Sequence, residues 1–320
     1  MDRRDSETAE LREAVRLQRM GRFDEAEAQA RLVLGRRPEH PAALRLLGRV
    51  AVQRGRDEEA VCLLRRAANV APSEPLIHSD LAAALGACGR DAEAECSARA
   101  ALDLRPDLPE AWNNLGASLK RQGRIRQAGA AFARALRLRP NYPEAHRNLA
   151  DVLRAVGRVL EAVREYRMAL DLRPGYFGAL DGLAAALVDL GETDQVIATY
   201  QKLIELHPRL PDARSGMLYT LHYSPAYDSE ALFHEHIEWG RLFCEPVRHQ
   251  IKVHENDRDP DRKLRVGYVS PDLREHTVTK FITAAFDHHD PGAPGFELFC
   301  YSDAEKPDEV TNRIKSIVDH

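Results

Sequence analysis

Aromatic side chains make up only 6% of this 320-residue chain, while alanine, leucine, arginine and glutamate abound. That balance favours helices over sheets. No apolar run approaches the roughly 18 residues that a membrane span needs, so no membrane partner is expected. The first ten residues, MDRRDSETAE, contain no apolar stretch of the kind that opens a secretory signal. Five cysteines (Cys62, Cys88, Cys96, Cys244 and Cys300) are odd in number and never form a CxxC pair. This argues against a disulfide framework or a zinc knuckle, and the expected setting is the reducing cytoplasm. A charge excess of one sign is also missing: 46 Lys and Arg stand against 50 Asp and Glu, a net charge of −4. No general pull toward nucleic acid follows. Neither GxGxxG nor a phosphate-loop motif occurs, so no cofactor site is expected. What is present, 44% hydrophobic and 30% charged residues, describes a chain able to bury a core, with a length suited to about two domains.

Punctuation by proline and glycine supplies the organisation. Pro38, Pro72, Pro106, Pro140, Pro174 and Pro208 follow one another at steps of 34, and Gly21, Gly55, Gly89, Gly123, Gly157 and Gly191 keep the same step. A helix–turn–helix unit explains both. The glycine serves the tight turn between helix A and helix B, and the proline ends helix B. Small residues recur where the helices must approach: Ala26, Ala60, Ala94, Ala128 and Ala162, then Ala67, Ala101, Ala135 and Ala169. Leu47, Leu81, Leu115, Leu149 and Leu183 mark helix A, and Phe132, Tyr166 and Tyr200 fill the core of helix B. These residues resemble the tetratricopeptide repeat (TPR), most completely in Pro109–Pro140, PEAWNNLGASLKRQGRIRQAGAAFARALRLRP. Six units tile residues 7–210, with degenerate ends as a capped solenoid requires, and Pro211 opens a seventh helix A.

In such a stack, helix A lines a concave face suited to extended protein or peptide segments. Asn114 and Asn148 occupy one inner-face position in successive units, with Asp80 equivalent to them. Asparagines one repeat apart could clamp a peptide backbone with paired donors and acceptors. They could equally be polar residues on an exposed helix face, since Leu46 and Gly182 stand there in units two and six.

After residue 210 the period stops. Residues 211–245 read as capping and transition helices, with Asp228 or Ser229 capping a helix that runs to about Cys244. Residues 246–263 read as a linker. His234 and His236 are two apart on that helix and point away from each other, so a metal site is not expected there. Adjacent His288 and His289 lack partners at ligand spacing. From 264 to 320 the pattern becomes strand (264–270), helix, strand (296–302), helix, the beginning of a parallel α/β sheet. Val278, Phe281, Ile282 and Ala285 are expected to form the buried helical face. Ligands of such sheets bind past the carboxyl ends of the strands, which places Ser270, Asp272 and His276 at the first loop. Ser270 and Asp272 also suit helix capping, and spacing alone reads His276 as an exposed residue at a helix start.

TPR units followed by RKLRVGYVSPDLREHTVTKF and FELFCYSDAEKPDEVTNRIK resemble the bacterial O-linked N-acetylglucosaminyltransferases, the SPINDLY-like proteins of glycosyltransferase family 41. The resemblance implies a mainly α fold: a TPR superhelix, then the start of a Rossmann-like N-lobe of a two-lobed GT-B catalytic region. It implies inverting, metal-independent transfer of N-acetylglucosamine from UDP-N-acetylglucosamine, a donor substrate and not a cofactor, to Ser or Thr of proteins. The histidine of the family pattern S-x-D-[FL]-x-x-H matches His276, the candidate active-site residue. The repeat-face asparagines of the family match Asn114 and Asn148 as acceptor contacts. Leu273 stands where phenylalanine is common, and Thr277 where proline or serine is usual. No counterpart of the lobe that holds the uridine and diphosphate occurs before His320, so the 320 residues alone are expected to be inactive. Two other readings stay open, a TPR scaffold without catalysis and a related transferase for another sugar such as fucose. A homo-oligomer formed through the repeats stays among the alternatives.

Overall fold

Backbone geometry repeats at the six glycines. In a computed structural model, which describes residues 3–251, 259, 262–288, 295–303 and 307–319 (side chains from residue 8 on), these glycines have φ between +69° and +79°. They are the only residues with positive φ among those described. Each follows an A helix, and the next N–H reaches back five residues to a helical carbonyl. Arg22 bonds Leu17 in this way at 3.0 Å, Arg124 bonds Leu119 at 2.9 Å, and Glu192 bonds Leu187 at 3.0 Å. This is the Schellman closure, which satisfies carbonyls the helix end would otherwise leave open and fixes where the chain reverses.

The A helices are α1 (Arg3–Arg19), α3 (Pro41–Gln53), α5 (Pro75–Ala87), α7 (Pro109–Arg121), α9 (Pro143–Ala155), α11 (Phe177–Leu190) and α13 (Pro211–Leu221). The B helices are α2 (Phe23–Arg36), α4 (Asp57–Val70), α6 (Asp91–Leu104), α8 (Ile125–Leu138), α10 (Val159–Leu172) and α12 (Thr193–Leu206). Five A helices carry proline at their first position, where the missing N–H has no intrahelical role. Every B helix ends two residues before its proline. The recurrent alanines are fully buried at the A–B contact, and Phe132 and Tyr166 are the largest side chains sealed between them. Two glycines make room for these rings: a Cβ on Gly116 would lie 2.6 Å from Phe132 Cε1, and one on Gly182 would lie 2.5 Å from Tyr166 Cζ.

Successive A helices also pack on one another, from α1 on α3 through α9 on α11, whereas successive B helices make no comparable contact. A stack whose helices touch on one side and part on the other bends toward the touching side. The A helices therefore line its inner face. After α13, Asp228 caps α14 (Ser229–Phe243) by accepting the Ala231 N–H at 2.8 Å, and Leu232 and Trp239 pack toward Met217 and Leu221. Phe233 and Ile237 of α14 are 61% and 55% exposed.

The chain divides into Met1–Val247 and Arg248–His320. The stretch expected as a linker, 246–263, opens inside a short 3-10 helix, Glu245–Gln250, and residues 252–258, 260 and 261 lie outside the described residues. In the second unit, β1 (Leu264–Ser270) and β2 (Phe296–Ser302) pair in parallel, with Leu264 opposite Phe296 and Ser270 opposite Ser302. Helices α15 (Thr277–Phe286) and α16 (Glu309–Ile317) cover the same sheet face, enclosing Val266, Leu298, Leu273, Phe286 and Ile314. On the opposite face Val269 and Tyr301 are exposed. This is a β–α–β–α unit of two strands, which is less than a Rossmann-like lobe. The expected face of α15 needs correction: Thr279, Ile282 and Phe286 turn inward, and Phe281 is 77% exposed. Phe286 sets that rotation by meeting Tyr268 edge-on at 5.0 Å, while the Thr279 hydroxyl donates to the Asp272 carbonyl.

Candidate functional site

On the inner face, polar side chains join neighbouring A helices in a regular ladder. Gln18 Nε2 donates to Gln53 Oε1 at 3.0 Å, Arg45 pairs with Asp80, Asn114 Nδ2 donates to the Ser79 carbonyl at 2.8 Å, and Asn148 Nδ2 donates to Asn113 Oδ1 at 3.0 Å. Arg154 continues it to Asp189 at 2.6 Å. Each of these pairs is separated by 35 positions, one repeat plus one residue. That offset places the partners opposite each other across the A–A contact.

Asn114 and Asn148 thus share a role as rungs but differ in what they leave available. Asn114 is half-buried and lines a cleft of about 200 Å³ with Ala82, Gly86, Ala117 and Arg121, whose guanidinium lies over Gly86. Its Nδ2 is bound to Ser79, and no partner among the described residues takes its Oδ1. Asn148 is buried, and its Oδ1 also accepts from Arg147 Nη1 at 3.2 Å. Beside it lies a second cleft, of about 300 Å³, lined by Asp151, Arg154, Ala155, Tyr166 and Asp189. Asp151 accepts from the Tyr166 hydroxyl and from Lys120 Nζ, both at 2.7 Å. This charged group is absent from the sequence expectations. Its signal was available as charges on successive A helices (Lys120, Asp151, Arg154, Asp189), but which of them meet depends on the stacking.

A third recurrent contact ties three A helices, α5, α7 and α9, to the proline before them. Trp112 Nε1 donates to the Pro106 carbonyl at 2.8 Å, and His78 and His146 Nε2 do the same to Pro72 and Pro140 at the same distance. His146 Nδ1 also faces Glu165 Oε2 at 2.6 Å. Burial draws the His146 pKa down, but the bonds to Glu165 and Pro140 outweigh it, and the net direction is up.

In the second unit, His276 is the N-cap of α15. Its Nδ1 accepts the Val278 N–H at 3.3 Å and lies 3.6 Å from Asp272 Oδ2. Ser270 and Asp272 therefore do not cap the helix; Ser270 Oγ instead accepts the Asp272 N–H at 3.1 Å. The loop between β1 and α15 is held from α16: Asp308 Oδ2 accepts the Glu275 N–H at 2.6 Å, and Thr311 Oγ1 donates to the Leu273 carbonyl at 2.8 Å. Hydrogen bonds from Glu275 and Thr311 also hold the Asp308 carboxyl below its usual range. The imidazole of His276 thus sits beyond the carboxyl end of β1, partly exposed, on a loop fixed at several points.

No cluster of three or more His, Cys, Asp or Glu with metal-ligand proximity occurs among the described residues. His236 Nδ1 is engaged with the Leu232 carbonyl at 2.8 Å and His288 Nδ1 with that of Ala284 at 2.7 Å, while His289 lies outside the described residues. No described helix is long and apolar enough to cross a membrane.

Comparison with known proteins agrees with the repeat geometry. Residues 11–75 and 113–177 match one tetratricopeptide-repeat model and residues 179–209 match another. Within the repeats, 111 residues are 34% identical to the probable UDP-N-acetylglucosamine–peptide N-acetylglucosaminyltransferase SPINDLY of Solanum lycopersicum and 35% identical to that of Oryza sativa subsp. japonica. The match covers 34% of this chain and spans only 12% of the length of either relative. Among solved structures, the Cut9–Hcn1 hetero-tetramer of the APC/C aligns with a TM-score of 0.64 at 15% identity, over 68% of this chain and 44% of that one. PilF of Pseudomonas aeruginosa aligns at 0.57 and 18% identity, over 69% and 99%. Similarity at that level concerns the fold alone, and the fold is a helical solenoid. The 34-residue units of this chain are tetratricopeptide repeats.

Proposed function

We propose that the inner, A-helix face binds extended protein segments, and that it does so as the acceptor-selecting part of a SPINDLY-like protein O-N-acetylglucosaminyltransferase. The observation that carries the binding reading is the Asn114 cleft. There an amide whose acceptor has no partner among the described residues faces a cleft lined by Ala82 and Ala117, with the Arg121 guanidinium lying over Gly86 as a second polar group for a bound segment. The charged cleft around Asp151 and Arg154, next to Asn148, supplies a second grip for polar side chains. The transferase part rests on the relatedness of the repeats to SPINDLY and on the LRVGYVSPDLREH motif, which carries His276.

In that reading His276 acts near the acceptor hydroxyl, where transfer requires proton removal or activation at the oxygen and charge stabilisation on the departing diphosphate. The 320 residues alone are expected to bind acceptor without turning over UDP-N-acetylglucosamine, in a cytoplasmic setting. An array of Ser- and Thr-containing peptides tests the binding, probed with the purified chain and with Asn114→Ala. A set of peptides bound by the first and weakened in the second supports the proposal, and indifference to the substitution refutes the role of the cleft. Release of UDP by the purified chain would contradict the expected inactivity. The scaffold reading keeps the peptide result and predicts no transfer from any longer form of the protein.

A further inference from the structure

The outer face of α8 departs from the rules that the other B helices obey. No acidic residue occurs from Ala111 to Pro143, and within that stretch Arg126, Arg134 and Arg137 lie along one exposed side of α8, at i, i+8 and i+11. None of the three has a hydrogen bond or ion pair within the described chain. The other arginines around the same turn are neutralised: Arg121 by Asp91, Arg124 by Glu95 and Arg139 by Glu110. Every other B helix carries acid in its first turn, as α4 does with Asp57, Glu58 and Glu59, where the helix dipole favours negative charge. Helix α8 has none, and places Arg126 there instead. Arg134 and Arg137, three apart, repel each other as well. Local rules broken without internal compensation mark places where a sequence answers to something outside the fold.

We infer that this stripe is a docking surface for a short acidic protein segment, on the side of the solenoid opposite the inner face. Charge complementarity sets the sign, and guanidinium groups suit carboxylates in bidentate geometry. The extent of the patch sets the length. From Arg126 to Arg137 the helix rises about 17 Å. In the neighbouring repeats the equivalents of Arg137 are Asp103 and Asp171, so the positive region is bounded on both sides. A continuous polyanion such as nucleic acid would meet those carboxylates, whereas a peptide of a few turns would not. One repeat further along, the equivalents of Arg126 and Arg134 are Leu160 and Met168, 66% and 46% exposed, which suits a segment carrying apolar residues beside its acids.

The test uses the full 320-residue chain and a fluorescein-labelled peptide built of Glu-Glu-Leu repeats, followed by fluorescence anisotropy. The expected result is binding that weakens with salt and falls about tenfold or more in Arg126→Gln/Arg134→Gln/Arg137→Gln. The inner-face variant Asn114→Ala should bind this peptide as the parent does, which separates failure here from failure of the proposed acceptor site. The triple variant should melt no lower than the parent, because repulsion is removed. Absence of peptide binding, equal binding by the triple variant, preferential binding of oligothymidylate of matching length, or a lowered melting temperature of the triple variant would each overturn the inference.

Discussion

Replacing Gly182 by alanine should destabilise the sixth repeat, although the general preference of helices runs the other way. In the interior of α11 alanine is favoured over glycine by about 1 kcal/mol. The added Cβ, however, would stand 2.5 Å from Tyr166 Cζ and 2.7 Å from Tyr166 Oη, and closer still to Cε1. The ring is 1% exposed and anchored, with its hydroxyl bound to Asp151 Oδ1 at 2.7 Å. Forcing a methyl group into such a site costs about 1–3 kcal/mol. Moving the ring aside forfeits a hydrogen bond to a charged acceptor, worth about 1.5 kcal/mol or more. Against the propensity gain, the net loss is about 0.5–2 kcal/mol. Gly240→Ala in α14, where a Cβ meets nothing within 4 Å, is the matched control and should gain up to about 1 kcal/mol. Urea unfolding followed by circular dichroism reads both. A Gly182→Ala chain as stable as Gly240→Ala would show that Tyr166 does not fill the space assigned to it.

His146 gives a pH-dependent prediction. Its folded pKa is raised, so its contribution is complete below the unfolded value of about 6.5 and is lost as pH rises through the folded value. The stability advantage of the parent over His146→Gln should therefore hold below about pH 6.5 and shrink as pH rises above it in urea titrations, and a difference independent of pH would refute the assignment. Asn148→Ala should cost more stability than Asn114→Ala, because it leaves the buried Asn113 Oδ1 unpaired, by about 1–3 kcal/mol against about 1. In any form of the protein that turns over UDP-N-acetylglucosamine, His276→Ala should lower kcat while leaving repeat unfolding unchanged. His276→Asn, which keeps an acceptor for the Val278 N–H, should restore the helix start but not the turnover.

Much of the solenoid was legible because its punctuation is local. Gly123 announces a left-handed turn and Pro109 a helix start without reference to anything distant. The polar ladder was not legible, since a bond such as Asn148 to Asn113 depends on how far one repeat rotates against the next. The same limit applies to α15. Periodicity offered Val278 and Phe281 as buried residues, and only the packing of Phe286 on Tyr268 turns them outward. Sequence named His276 and both asparagines as candidates. It could not show that Asn148 has both amide groups engaged while Asn114 keeps one open.

The rungs that span one repeat plus one residue also make the array modular. Excising residues 114–147 would bring Asn148 opposite Ser79, reproducing the pairing that Asn114 now makes, but would set the buried Asn113 against Gly182 and remove its donor. Excising residues 80–113 would instead set Asn114 against Arg45 and leave that guanidinium without its carboxylate. The Asn114 rung is thus portable between the fourth and fifth units, whereas the Asn113–Asn148 and Arg45–Asp80 pairs each mark a junction that a duplication or deletion would have to respect.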